Sequence, residues 1–246
     1  MSSVHSKRSH PNPQTATPRS EFWAGARDIF PLIVGSIPFG LIFGTLAISS
    51  GLSVGSTLAM SAFVFAGSSQ FIAIGMVAAK TGWLLIVLTA FVVNLRHLLY
   101  AVSLLPYVKP LSQRWKIPLA FLLTDESFAI AIRRYEAKAL SPFKHWYYLG
   151  AALSMYLNWQ LCTLLGVTIG RLVPNAANWG LDFAMSVTFI GMTIPYLKTR
   201  PMGLAVTISG LVSLIAAPLP HKLGLMIAAI AGISAGVWSE RHLSTC

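Results

Sequence analysis

Long runs of apolar residues, almost free of charge, constrain this chain more than any other feature. A helix rises about 1.5 Å per residue, so about 20 apolar residues cross a hydrocarbon core about 30 Å thick. Eight segments approach that length: Ile29–Ser50, Ser56–Ala79, Trp83–Leu105, Ile117–Ile132, Tyr147–Gly170, Leu181–Leu197, Met202–Leu219 and Leu223–Ser239. Only 10% of the 246 residues are charged and 55% are hydrophobic, whereas soluble domains are about a quarter charged. So few charges could not cover so much apolar surface in water. Spans that satisfy their own backbone in lipid are helical. The expected fold is therefore all-α, a polytopic transmembrane helix bundle of about eight spans, or seven if the short fourth segment does not cross.

Residues 1–28 read as a disordered basic cytoplasmic tail, residues 29–240 as the transmembrane domain, and residues 241–246 as a short C-terminal tail. The first 20 residues are rich in Ser, Pro, His and base and have no adjoining short apolar stretch with a cleavage site, so they do not read as a signal peptide. The net charge of +11 would suggest nucleic acid in a soluble protein. Here the bases lie in the tail and loops, where they set topology and meet membrane lipid, and no nucleic-acid partner is expected. Eight spans with both termini in the cytoplasm leave Lys109, Arg114, Lys116, Arg171 and Lys222 outside and most other bases inside. Letting the fourth segment turn back would put Arg133 to Lys144 beside Lys109 to Lys116, and much of that bias would disappear. Cys162 lies in a span and Cys246 ends the chain, which suits neither a disulfide nor a metal site. No cofactor is expected.

Four polar clusters interrupt the spans. GSIPFG, Gly35 to Gly40, places Pro38 inside the first. Proline removes a backbone donor and clashes with the preceding turn, so this helix either breaks there and aims a half-helix N-terminus at a cavity, or carries an ordinary proline kink with Gly44 serving helix packing. AGSSQF, Ala66 to Phe71, puts Ser68, Ser69 and Gln70 in the second span; Gln70 needs partners and should face the bundle interior. NLRHLLY, Asn94 to Tyr100, buries Arg96 about 14 Å from the outer end of the third span. LTDESF, Leu123 to Phe128, puts Asp125 about 12 Å from the outer end of the fourth. Matching depths on consecutive segments imply an Arg96–carboxylate pair. Two acids and one base leave a carboxyl over, which can meet an ammonium or carry a proton. The candidate translocation path thus comprises Pro38, Phe39, Ser68, Ser69, Gln70, Asn94, Arg96, Asp125 and Glu126. His97, Asp125 and Glu126 are the proton-coupling candidates, His97 because it titrates near neutral pH. Asn158, Trp159 and Asp182 are weaker polar signals.

An internal repeat is also visible. Gly40–Ser61 aligns with Gly166–Ser186, pairing Gly40 with Gly166, Gly44 with Gly170 and Ala59-Met60-Ser61 with Ala184-Met185-Ser186. Transporters often place their site between such halves. Eight spans would make the repeat parallel, and a re-entrant fourth segment would make it inverted.

Taken in order, PLIVGSIPFGLIFG, SAFVFAGSSQF, VVNLRHLLYAVSL, LTDESFAI and GLDFAMSVTFI resemble the AzlC family from about Phe22 onward. The resemblance implies the large subunit of a bacterial branched-chain amino-acid exporter in the cytoplasmic membrane. It implies valine, leucine, isoleucine or methionine as substrate and a small AzlD-type membrane partner. It carries over no binding residues. Without a P-loop, energy for export would come from an ion gradient. On the residues alone, a channel or structural membrane subunit is the alternative. An intramembrane enzyme is disfavoured, because neither a paired nucleophile nor an H-E-x-x-H run is present.

Overall fold

The computed structural model describes residues 16–137, 141–172, 190, 194, 197, 199–219 and 223–243. Ten helices fall among them: α1 (Pro18–Asp28), α2 (Phe30–Ser49), α3 (Val54–Val64), α4 (Gly67–Ala78), α5 (Trp83–Val108), α6 (Gln113–Phe121), α7 (Asp125–Glu136), α8 (Lys144–Leu172), α9 (Arg200–Ile215) and α10 (Leu223–Leu243). Three of these, α2, α5 and α8, are long and apolar enough to cross a membrane. The helices α9 and α10 pack on each other, Gly232 of α10 lying against Ala205 and Ser209 of α9.

Helix α8 is the axis of the fold. Along it runs α2 in parallel, Ser36 lying beside Asn158, Gly40 beside Cys162, and Thr45 beside Gly166. The contact is backbone to backbone. A Cβ on Gly44 would lie 2.4 Å from the Thr163 carbonyl oxygen, and one on Gly166 would lie 2.2 Å from that of Leu41. Small residues four apart let two helices approach this closely in a membrane. The four glycines aligned in the sequence repeat therefore all lie in one helix contact, each against residues other than its aligned partner. The rest of the repeat's second copy, with Asp182, lies outside the described residues.

This packing keeps α2 whole. It is one uninterrupted helix with Pro38 inside it, so of the two readings of Pro38 the break does not occur, and Gly44 serves helix packing. Proline removes one helical bond, while contacts with α8 before and after it hold both turns in line.

The second and fourth apolar segments break instead, and both fold back. At the first break Phe65 is left-handed (φ 31°) and Ala66 extended. Gln70 Nε2 then donates to the Met60 carbonyl at 2.9 Å. Ten residues of straight helix would separate these positions by about 15 Å, so α3 and α4 form a hairpin. It starts and ends at the end of the fold where α8 finishes. Ser61 meets Thr163 and Phe65 meets Tyr156 as α3 descends along α8. Ser68 meets Arg96 and Ser69 meets Asn94 as α4 returns antiparallel to α5.

The second hairpin enters from the opposite end. Trp115 at the start of α6 packs on His145 and Trp146 at the start of α8, and Phe121 reaches Tyr156. The chain breaks at Leu122 to Thr124. Helix α7 then returns beside α5, with Tyr100 stacked on Phe128 and Tyr107 on Tyr135. Its last turn lies at Lys144, whose Nζ donates to the Tyr135 and Ala137 carbonyls. Neither segment thus traverses the fold, and the eight-span reading does not describe residues 54–136. The apolar stretch Ser56–Ala79 is as long as a span, and hydrophobicity alone does not mark a reversal in the middle of one.

The two hairpins are related. One step of 58 residues carries Gly67 to Asp125 and Ala78 to Glu136, so α4 lands on α7. The same step carries AFVFAGSS (Ala62–Ser69) onto AFLLTDES (Ala120–Ser127). Because they enter from opposite ends, this is an inverted repeat.

Residues 18–28 are not tail. They form α1, begun by a reciprocal Thr17–Ser20 capping box and Pro18. It is held by a buried ion pair between Glu21 (1% exposed) and Arg134 of α7 (8%). Arg134 also lies 5.3 Å from the ring of Tyr147, whose hydroxyl donates to Asp28.

Candidate functional site

The hairpin tips meet halfway along α8. Between them lies a cavity lined by Ser36 and Phe39 of α2, Phe65 to Ser68 and Phe71 of the first hairpin, Arg96 and His97 of α5, Thr124 to Glu126 of the second hairpin, and Met155 and Trp159 of α8. It encloses about 50 Å³, space for a few waters and too little for a branched side chain.

Arg96 joins the tips. Its Nη1 is 2.9 Å from Asp125 Oδ2, and its Nη2 donates to Ser68 Oγ at 2.6 Å. Tyr100 donates to the other Asp125 oxygen at 2.6 Å. The planar guanidinium fork suits such a bridge better than an ammonium would. Among the described residues Glu126 makes no ion pair. The tip therefore carries one compensated acid and one uncompensated acid.

Each tip presents the start of a helix, where N–H groups precede the first helical bond and the dipole is positive. The two starts are finished differently. Thr124 caps α7 through a reciprocal box with Ser127, and Asp125 and Glu126 occupy its first turn. Ala66 leaves α4 without a side-chain cap, and no acid lies in its first turn. The end of α3 is well served: Gln70 donates to the Met60 carbonyl, Gln160 to Ser61 and Tyr156 to Ala62. On the other side of the break, the leading N–H groups of α4 have no side-chain cap.

Of the residues expected along the path, Phe39, Ser68, Arg96, His97, Asp125 and Glu126 line the cavity. Ser69 and Asn94 sit behind it, bonded to each other at 2.6 Å. Gln70 is fully buried and bridges the arms of its own hairpin, with its Oε1 unbonded. Pro38 lies in α2 next to Phe39 and does not line the space. Ser36, Ala66, Gly67, Thr124 and Met155 were not singled out from sequence, and Trp159 only as a weak polar signal. Thr124 had a readable sign, Thr-x-x-Ser before an apolar run; Ala66 and Gly67 had none beyond the polar run they open. Among the described residues no three His, Cys, Asp or Glu side chains converge as a metal-ligating set.

Three apolar spanning helices, two opposed hairpins and a charged cavity at mid-depth define a polytopic helical membrane protein with an internal polar site. The chain belongs to the AzlC family: the AzlC protein family matches residues 31–173. Among similar proteins, the inner membrane protein YgaZ of Escherichia coli is 30% identical over 80% of this chain and 81% of its own length. An uncharacterized membrane protein of Archaeoglobus fulgidus is 31% identical over 85% of this chain and 91% of its own. The branched-chain amino acid transport protein AzlC of Bacillus subtilis is 30% identical over 70% and 68%. No solved structure matches.

Proposed function

We propose that this chain is the large subunit of a secondary transporter that exports branched-chain or other hydrophobic amino acids, valine, leucine, isoleucine or methionine, across the bacterial cytoplasmic membrane. One observation carries the reading. A mid-depth cavity walled by Phe39, Phe65 and Phe71 has an uncapped helix start and Arg96 on one side and the unpaired Glu126 on the other. A zwitterion with an apolar side chain needs that combination. The name of the Bacillus subtilis relative points the same way. The small volume fits an occluded state in which the tips must part to admit substrate, and it speaks against an open pore. The carboxyl that Arg96 leaves uncompensated supports coupling to a proton gradient, with His97 lining the same cavity. A small AzlD-type membrane subunit completes the transporter.

The folded-back hairpins also support an orientation. Arg19, Arg27, Lys109, Arg114, Lys116, Arg133, Arg134 and Lys144 gather at the end where α8 begins, against Lys80 and Arg171 at the other. By the positive-inside bias the first end faces the cytoplasm. Releasing only the fourth segment would weaken the charge bias; releasing both hairpins strengthens it. Three further crossings by the apolar runs after Leu172 would return the C-terminus to the cytoplasm, giving six spans and two re-entrant hairpins within residues 29–240.

The test is efflux of amino acids from cells loaded with leucine- or valine-containing dipeptides. Cells expressing this chain with its small subunit should clear the amino acid faster than cells lacking it, and a protonophore should slow the clearance. Equal efflux with and without the chain would remove the reading.

A further inference from the structure

The start of α4 has a neighbour that the cavity's charges do not account for. Trp159 of α8 stands over Gly67, the first residue of α4. A Cβ there would lie 3.3 Å from the indole Cη2 and 3.7 Å from Cζ2. Cζ3 follows at 3.9 Å, so the benzo corner of the indole meets Gly67, and Nε1 lies two bonds beyond Cζ2 on a side chain that lines the same cavity. Trp159 is 8% exposed, and its Nε1 has no acceptor. The Arg96 Nε, behind the two nitrogens that hold Ser68 and Asp125, has none either. A buried indole N–H ordinarily finds a partner, and leaving it without one costs free energy. Two side chains with unanswered N–H donors thus line the same cavity as a helix start whose own leading N–H groups no side chain caps. All of them donate; the unbonded acceptor of the same helix, the Gln70 Oε1, belongs to the side chain tied back to Met60 and does not line the cavity. The other tip is finished by Thr124 and carries its own acids.

The geometry points to a carboxylate subsite formed by the start of α4, the Trp159 Nε1–H and the Arg96 guanidinium, with Glu126 taking the ammonium of the same molecule. This rests on the amino-acid reading above and adds a polarity to it: the α-carboxylate faces the first hairpin and the ammonium faces the second. Helix starts are ready-made anion sites, and discontinuous membrane helices use them for substrate carboxylates. Gly67 admits the close approach, since any side chain there would press on the indole.

Three probes that share one branched side chain separate the charges: leucine, isovalerate with the carboxylate alone, and isopentylamine with the ammonium alone. Displacement of radiolabelled leucine is measured on the full chain with its small subunit in lipid nanodiscs. Replacing Trp159→Phe keeps the ring and removes the donor. It should weaken leucine and isovalerate roughly ten- to hundredfold, the worth of one buried hydrogen bond to a charged group, and leave isopentylamine unchanged. Glu126→Gln should do the reverse, weakening leucine and isopentylamine and sparing isovalerate. Ala66→Ser gives α4 a cap of its own and should reproduce the Trp159→Phe pattern without touching the aromatic wall, which guards against a merely misfolded variant. If the chain binds leucine but Trp159→Phe and Ala66→Ser leave isovalerate unaffected, or weaken isopentylamine equally, the polarity is overturned and the amino-acid reading stands. If the unaltered chain binds none of the three probes, both are overturned.

Discussion

The two hairpins share a backbone and differ in chemistry. Each breaks at mid-depth and starts its second helix at the break, and one 58-residue step superposes α4 on α7 in the sequence. Yet the second hairpin is finished at both ends. Its tip is capped by Thr124 and tied through Asp125 to Arg96, and its base is tied through Arg134 to Glu21. The first has neither a cap nor an acid at its tip. Duplication supplied the shape, and divergence at four of the five positions from Ala66 to Gln70 against Thr124 to Phe128 (Ser69 and Ser127 are the same) made one tip an acidic face and the other a face with unanswered donors. The hairpin anchored at both ends is expected to hold still while the other moves.

The largest effect should come from the base of the anchored hairpin. Glu21→Ala leaves the buried Arg134 unpaired and should destabilise the protein by about 3–5 kcal/mol, seen as a lowered unfolding temperature in detergent. The double variant Glu21→Leu with Arg134→Leu should recover most of the loss; if it does not, α1 matters for something other than that pair. Next is the bridge between the tips. Arg96→Ala removes the link from Asp125 to Ser68 and should cut amino-acid efflux about a hundredfold, equivalent to about 3 kcal/mol, at unchanged membrane insertion. Arg96→Lys should recover little of it, because an ammonium cannot span both partners as a fork does. A smaller effect is expected at Gln70→Leu, which removes the bond closing the first hairpin and should cost about 1 kcal/mol of stability. The smallest pair tests the contrast directly. Thr124→Ala should destabilise by about 1 kcal/mol, while Ala66→Ser should stabilise by a similar amount or less. Equal signs would mean that the two helix starts are not the opposites they are drawn as here.

Much of the site was legible in the sequence because charge in an apolar run is so costly. Arg96 and Asp125 could be paired from depth alone, and the acid left over followed by subtraction. The hairpins were not legible in the same way. Ser56–Ala79 is long enough to cross, and a chain that enters and returns buries the same composition as one that passes through. Pro38 looked like the breaker because proline is a strong local signal, but the Gly40 and Gly44 contact with α8 outweighs one lost bond. The true break at Phe65 needs neither proline nor a glycine at the left-handed position. The tie from Gln70 to Met60 stabilises it, and only the folded chain brings those two residues together. The AFVFAGSS and AFLLTDES likeness was present all along, hidden because its polar halves differ in charge.

Two helices that aim their positive ends at one point from opposite sides also act as an insulator. A bare proton or metal cation travelling through the protein would meet a repulsive field at its narrowest place. At α7 that field is offset by Asp125 and Glu126, and at α4 it is not. If the proposed pathway runs between the tips, the first hairpin tip would bar the leak that any polar pathway through an energised membrane invites. A carboxylate is the charge that lowers this barrier, so only a cargo that brings its own anion would open the way.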